Sequence, residues 1–118
     1  MRILLKAPLS IYSGYGNDGI ALSRALIDAG HDVYLQPTVL TSPLPKEVAD
    51  LLQKENVPPF DLFINHVDPT ILECSDEMDR TADVSIAWSM WEFTSYKNMK
   101  KSSRKTLKKR MKNFDAFV

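Results

Sequence analysis

Three glycines lie in G-x-G-x-x-G spacing within residues 13–19, which read SGYGNDG. Between a strand and a helix, such a stretch can bind a dinucleotide, line a cleft for a phosphate or a sugar, or only turn the chain. A dinucleotide site needs its first glycine directly after the strand and an acidic residue about 20 residues further on. Six residues separate Ala7 from Gly14, and residues 33–45 contain no Asp or Glu. The sequence therefore argues against a dinucleotide.

A ligand-facing loop and a simple turn remain open as interpretations of this stretch. Gly14 and Gly16 have no Cβ, so the backbone there can approach a ligand closely. Free N–H groups at the start of the following helix favour anionic or hydroxyl-rich ligands. The indole rings of Trp88 and Trp91 can stack on a sugar ring, although core packing is the commoner use of such residues. We predict that Gly14, Gly16 and Trp91 contribute to substrate binding.

Three residues that can move protons follow predicted strands. His66 and Asp68 come at and just after the end of FDLFINHV, and Glu92 follows DVSIAWSMW. The carboxyl ends of parallel strands meet at one edge of a sheet, where an imidazole or a carboxylate can act as a base towards a hydroxyl group. We predict catalytic roles for His66, Asp68 and Glu92. The structural alternative is that His66 donates to a backbone carbonyl and Asp68 holds a turn before Pro69.

Strands and helices alternate along the chain. The predicted order is a strand at 2–8, a helix at 18–29 capped by Asn17 or Asp18 and ended by Gly30, a strand at 31–36, a Pro-rich loop at 38–45, a helix at 45–55, strands at 60–67 and 83–91, a basic helix at 97–112 and a strand from 114. This alternation predicts an α/β fold, a Rossmann-like parallel sheet of about five strands with helices on both faces. His31 falls at the opposite end of this sheet, where we expect a structural role.

Length and composition limit the class of protein. The 118 residues suit one domain, spanning 1–118, and 44% of them are hydrophobic. No apolar run is long enough to cross a bilayer, and the apolar stretch at the start of the sequence is too short for a signal peptide. The single cysteine, Cys74, cannot form an internal disulfide, and no Cys/His cluster has metal-ligand spacing. We predict a cytoplasmic location and no metal site.

Charge is distributed unevenly along the chain. Residues 1–96 carry a net charge of −8, and residues 97–118 carry +8. The predicted basic helix has a narrow apolar stripe, so its lysines would face water. A solvated helix face is one interpretation, and attraction to an anionic membrane surface or to nucleic acid is the other. The second interpretation assigns that contact to Lys101, Lys105, Lys108 and Lys109.

Four segments resemble the N-terminal half of GT-B-type glycosyltransferases. SGYGNDGIALSRALIDAGHDVYL resembles their opening Gly loop, helix and second strand, and FDLFINHVDP resembles a later strand and loop. IAWSMWEFTSY resembles a segment of some bacterial and phage-like members, and FDAFV resembles the strand before the interdomain linker. The resemblance extends over nearly the whole chain and depends on the order and spacing of motifs that are individually weak.

The resemblance implies an acceptor-side half of a glycosyltransferase. In GT-B enzymes the N-terminal half holds the hydroxyl acceptor and the C-terminal half holds the nucleotide-sugar donor, usually without a metal. Gly14, Tyr15 and Gly16, with the adjacent Asn17, match the loop that approaches acceptor and donor phosphate. Many relatives carry a His near the position of Glu92. We expect the donor domain to be absent and the chain to lack transfer alone, with a nucleotide sugar as substrate rather than a cofactor. The alternative is a non-catalytic module that binds a sugar, a nucleotide or a partner.

Overall fold

The protein has an α/β fold built on a parallel sheet. The computed structural model describes residues 1–57, 59–66, 82–88 and 114–117. Its strands and helices are β1 (Arg2–Leu9), α1 (Gly14–Asp28), β2 (Asp32–Leu40), α2 (Lys46–Leu51), β3 (Phe60–Asn65), β4 (Ala82–Ala87) and the two-residue strand β5 (Ala116–Phe117). The order across the sheet is β2-β1-β3-β4-β5, with every pair parallel. The predicted α/β class with a parallel sheet is confirmed.

Strand β1 lies inside the sheet, and its side chains are buried on both faces. Successive residues of a strand point to opposite faces, so Ile3 and Leu5 pack on one side and Leu4 on the other. Residues of α1 and α2 pack against the first side, including the fully buried Val48. Phe63 is fully buried with Leu4 on the second side. Both described helices therefore cover the same face.

The basic segment predicted as a helix at 97–112 lies outside the described residues. The full prediction of about five strands with helices on both faces stays a prediction, since the described helices pack on one face and β5 has two residues.

Helix α1 begins four residues before the predicted start at residue 18. Ser13 is the N-cap: its Oγ accepts a hydrogen bond of 2.9 Å from the Gly16 backbone N–H. The predicted caps, Asn17 and Asp18, lie within the helix instead. The Ser13 hydroxyl thus satisfies the N–H group of Gly16, a residue that the sequence predicts to precede the helix. At the other end Gly30 has a φ of +87°, as predicted for the residue after a helix.

Two of the three spaced glycines let α1 pack closely on the end of β1. A Cβ at Gly16 would overlap Ser10, and a Cβ at Gly19 would overlap the carbonyl oxygen of Pro8. A Cβ at Gly14 would meet nothing within 4 Å. Gly16 and Gly19 thus have a packing role that their spacing alone did not indicate.

Three other element ends differ from the prediction by four residues each. Strand β2 continues to Leu40 through residues predicted as loop. An edge strand tolerates a proline such as Pro37, because a residue without an N–H group can face the unpaired side of the strand. Helix α2 ends at Leu51, four residues before the predicted end. Strand β4 ends at Ala87, so Trp88 follows the strand and does not belong to it.

A polar cluster joins the amino end of β2 to Lys54, which lies between α2 and β3. The Lys54 ammonium donates to the Asp32 carboxylate at 2.6 Å, and the Tyr34 hydroxyl donates to the same carboxylate at 2.9 Å. The Lys54 ammonium also lies 4.3 Å from the centre of the Tyr34 ring. The hydrogen bond from Lys54, followed by that from Tyr34, lowers the pKa of Asp32 below its usual value of 3.8.

We expect the Asp32→Asn variant to lose stability at neutral pH and to match the wild type in acid. A lowered pKa in the folded state means that the carboxylate stabilises the fold above its unfolded-state pKa, and that this stabilisation disappears as the pH falls through the folded-state pKa. The measurement is urea unfolding between pH 7 and pH 2. Asp28→Asn, at the exposed end of α1, is the matched control. A difference between wild type and Asp32→Asn that stays constant down to pH 2 would contradict the assignment.

Candidate functional site

The strand order predicts a crevice at the carboxyl edge of the sheet. From β1 the chain moves to β2 on one side, whereas β3 lies on the other side of β1. Connections that leave a parallel sheet in opposite directions open a crevice between the two strand ends, the usual ligand position in such folds. Ser10 follows β1 and His66 follows β3 at this point.

His66 is held at the end of the sheet by its backbone and by its ring. Its backbone N–H donates to the Lys6 carbonyl at 2.7 Å, which extends the pairing of β3 with β1. The Trp88 N–H donates to the Asn65 carbonyl at 2.9 Å, which extends the pairing of β3 with β4. The His66 side chain is 3% exposed. The sheet itself therefore fixes both His66 and the backbone of Trp88.

The hydrogen bonding of His66 defines which ring nitrogen carries the proton in the neutral ring. Nδ1 lies 2.7 Å from the Trp88 carbonyl oxygen. A carbonyl only accepts, so Nδ1 carries a proton and donates it, and Nε2 of the neutral ring has a lone pair. Nε2 is buried and has no hydrogen-bond partner among the described groups. A buried, unpaired acceptor is uncommon in folded proteins and is a reason to look for a ligand.

Two aromatic rings flank the His66 imidazole. The Tyr15 ring centre lies 6.0 Å away and is tilted by 50°, and the Trp88 ring centre lies 5.9 Å away in an edge-on arrangement. Tyr15 is half-buried, while Trp88 is 41% exposed. The imidazole therefore sits between a ring on α1 and a ring that faces solvent.

An open cleft of about 310 Å³ lies between α1 and the ends of β3 and β4. His66 and Trp88 line one side, and α1 lines the other with residues at helical spacing: Asp18, Ala21, Leu22 and Ala25. Small side chains on α1 leave room between the helix and the strand ends. The cleft therefore combines aliphatic and indole surface with one carboxylate and one imidazole.

The predicted binding residues in the first turn of α1 differ in their surroundings. Tyr15 lies beside His66. The Asn17 amide donates to the carbonyls of Ile11 and Ser13, so it holds the turn before α1. Gly16 faces Ser10, and Gly14 faces open space. The structure thus brings Tyr15 to His66 and gives Asn17 and Gly16 contacts within the protein.

The remaining predicted site residues lie outside the described part of the chain. They are the catalytic candidates Asp68 and Glu92, the binding candidate Trp91, and the cations Lys101, Lys105, Lys108 and Lys109. His31, predicted to be structural, lies beside the amino end of β2, where its Nδ1 is 3.4 Å from the terminal amino group of Met1. That position is at the opposite end of the sheet from His66, as predicted.

Sequence reasoning missed the contribution of α1 to the cleft. Positions 18, 21, 22 and 25 have the spacing of one helix face, but two alanines and an aspartate on such a face suggest a solvated surface. The sequence offered a structural role for His66, donation to a backbone carbonyl, and Nδ1 makes this hydrogen bond. The unpaired Nε2 could not be derived from residue types, because it depends on which groups surround the ring.

Within the described ranges, no group of three or more His, Cys, Asp or Glu side chains is placed to hold a metal ion. Neither described helix combines the length and the apolar character needed to span a bilayer. Comparisons with protein-family models, with curated proteins and with solved structures found no match for this chain.

Proposed function

We propose that this domain binds the hydroxyl-bearing acceptor of a glycosyl-transfer reaction, with His66 as the group that receives the hydroxyl proton. The observation that carries the proposal is the unpaired, buried Nε2 of His66, a residue that lines the cleft. The resemblance of the sequence motifs to GT-B glycosyltransferases supports the reaction class. The position of the cleft, at the carboxyl ends of the strands, is where ligands bind in parallel α/β sheets.

The chemistry follows from the tautomer of His66. The acceptor hydroxyl oxygen forms a bond to the anomeric carbon of a nucleotide sugar, and the bond from that carbon to the diphosphate oxygen breaks. The hydroxyl proton passes to Nε2, and the resulting imidazolium still donates from Nδ1 to the Trp88 carbonyl. Nε2 is enclosed in this structure, so a neighbouring group moves when the acceptor enters. Asp68 and Glu92 are further candidates for proton transfer, and Trp91 for acceptor binding.

The proposal includes the finer layout of the domain. In it, the sheet has about five strands and helices on both faces, and residues 97–112 form a basic helix. The nucleotide-sugar donor is held by a second domain, and transfer takes place in the cytoplasm. Contact of the basic segment with an anionic surface belongs to the same proposal.

We expect His66→Asn to retain the fold and to bind the acceptor more weakly. The Asn amide can replace Nδ1 as the donor to the Trp88 carbonyl, but it offers nothing at the position of Nε2. The measurement is nuclear magnetic resonance titration of the 118-residue chain with simple methyl glycosides, following the amide signals of α1 and the Trp88 indole. We expect about tenfold weaker binding for the variant, the effect of one lost hydrogen bond in a buried site.

His31→Asn, at the opposite end of the sheet, is the matched control and should bind as the wild type does. Equal binding by His66→Asn and wild type would remove His66 from the acceptor site. Signals that change around His31 and Gly30 would place the ligand at the opposite end of the sheet from His66 and would contradict the proposed site. No change with any glycoside would reject the proposed function.

A further inference from the structure

The charges around the cleft bear on the class of ligand that it accepts. Among its described lining residues, Asp18 is the one charged side chain and no cation is present. A phosphate or carboxylate on the ligand would face the Asp18 carboxylate without a compensating positive group. Like charges repel across several ångströms near a protein surface. The lining therefore disfavours an anionic ligand.

The N-terminus of α1 does not offset this repulsion. A helix N-terminus attracts anions through its free N–H groups. In α1 the Gly16 N–H is bonded to the Ser13 Oγ, and the Asn17 N–H is bonded to the Ser13 carbonyl. The cleft lies along the side of the helix, from Asp18 to Ala25. A ligand in the cleft therefore contacts side chains of α1 and not its leading N–H groups.

The uncharged part of the lining suits a ring with one apolar face. Ala21, Leu22 and Ala25 give an aliphatic wall, and the Trp88 indole lies opposite with 41% of its surface exposed. Stacking on an indole buries the C–H face of a sugar ring and leaves its hydroxyl groups at the rim. Hydroxyl groups can then donate to the Asp18 carboxylate and, once the group enclosing it moves, to the His66 Nε2, since both are acceptors.

We infer that the cleft selects a neutral, hydroxyl-rich ring and excludes phosphorylated sugars, with Asp18 as the residue that determines this specificity. The inference rests on the proposed function, because it concerns the acceptor in the same cleft. It assigns the diphosphate of the donor to another part of the enzyme. The Asp18 carboxylate and the His66 Nε2 both accept hydrogen bonds, and the described lining has no Lys or Arg. The site is therefore complementary to groups that donate hydrogen bonds and not to anions.

The experiment compares methyl β-glucopyranoside with its 6-phosphate, titrated into the 118-residue chain at low ionic strength. We expect the neutral glycoside to bind about tenfold more tightly than the phosphate, a difference that one like-charge pair can produce. Asp18→Asn should reduce this preference to about twofold or less, since the repulsion is removed while the amide still bonds to hydroxyls. Added salt should weaken the preference in the wild type.

Asp28→Asn removes the same charge from the far end of α1 and should leave the preference unchanged. Tighter binding of the phosphate than of the neutral glycoside, or a preference that survives in Asp18→Asn, would overturn the inference while the acceptor site itself stands. Absence of binding by both sugars, with every amide signal unmoved, would overturn the proposed function and the inference with it.

Discussion

Gly19→Ala is expected to lower the free energy of unfolding by about 3 kcal/mol or more, which is the upper part of the range for overpacked sites. A Cβ at this position would overlap the carbonyl oxygen of Pro8, and a backbone group of β1 cannot move aside as a flexible side chain can. The loss is a large share of the roughly 5–15 kcal/mol that stabilises a domain. Urea unfolding followed by circular dichroism measures it.

Gly14→Ala is the matched control for Gly19→Ala. The same methyl group is added to the same helix, but it meets nothing within 4 Å. Alanine is the better helix former, so the expected change lies between zero and a gain of about 1 kcal/mol. If both variants lose stability equally, the close packing of α1 on β1 is not the reason for the glycine at position 19. If the Gly19→Ala variant is as stable as the wild type, α1 lies further from β1 than this structure shows.

Phe63→Ala is expected to lower the free energy of unfolding by about 3–5 kcal/mol, the usual effect of removing a fully buried phenylalanine. Phe63 lies on the face of the sheet opposite α1 and α2 and contacts the buried cluster of Leu4 and Phe60. A sheet covered on one face only would leave this ring in water. The variant therefore also tests the proposal that helices cover both faces.

Val84→Ala, on the neighbouring strand β4, is the control for Phe63→Ala. Val84 is 44% exposed, so its truncation should change stability by less than about 1 kcal/mol. A loss for Phe63→Ala as small as that for Val84→Ala would show that the second face is open to solvent. The two measurements together separate burial from the intrinsic strand preference of the residues.

The proposed site depends on the same packing that these variants test. Gly16 and Gly19 allow α1 to pack against the end of β1, and this places Tyr15 beside His66 and Asp18 in the lining of the cleft. A shift of α1 would alter the distance between its side chains and the strand ends. We therefore regard the spaced glycines as elements that position the site, with Gly14 as the member that faces open space.

Residue pattern alone predicted the α/β class, the parallel strands and the position of His66 at their carboxyl ends. The reason is that apolar runs of strand length and helix periodicity are local properties of the chain. The end of α1 shortly before Gly30 was predictable too, because the residue after a helix often has a positive φ, which favours glycine. The start of α1 lies four residues before the predicted one, because a glycine-rich stretch indicates a loop and the capping role of Ser13 depends on its hydrogen bond to Gly16.

Only the tertiary structure showed what surrounds each of these residues. The partner of Nδ1 on His66 is a carbonyl 22 residues away in the chain, and the cleft brings α1 beside residues from two later segments. The overlap at Gly19 likewise depends on how closely a helix crosses a strand. Residue types and spacing determine which elements form, whereas contacts between distant segments determine which hydrogen bonds are made and which acceptor is left without a partner.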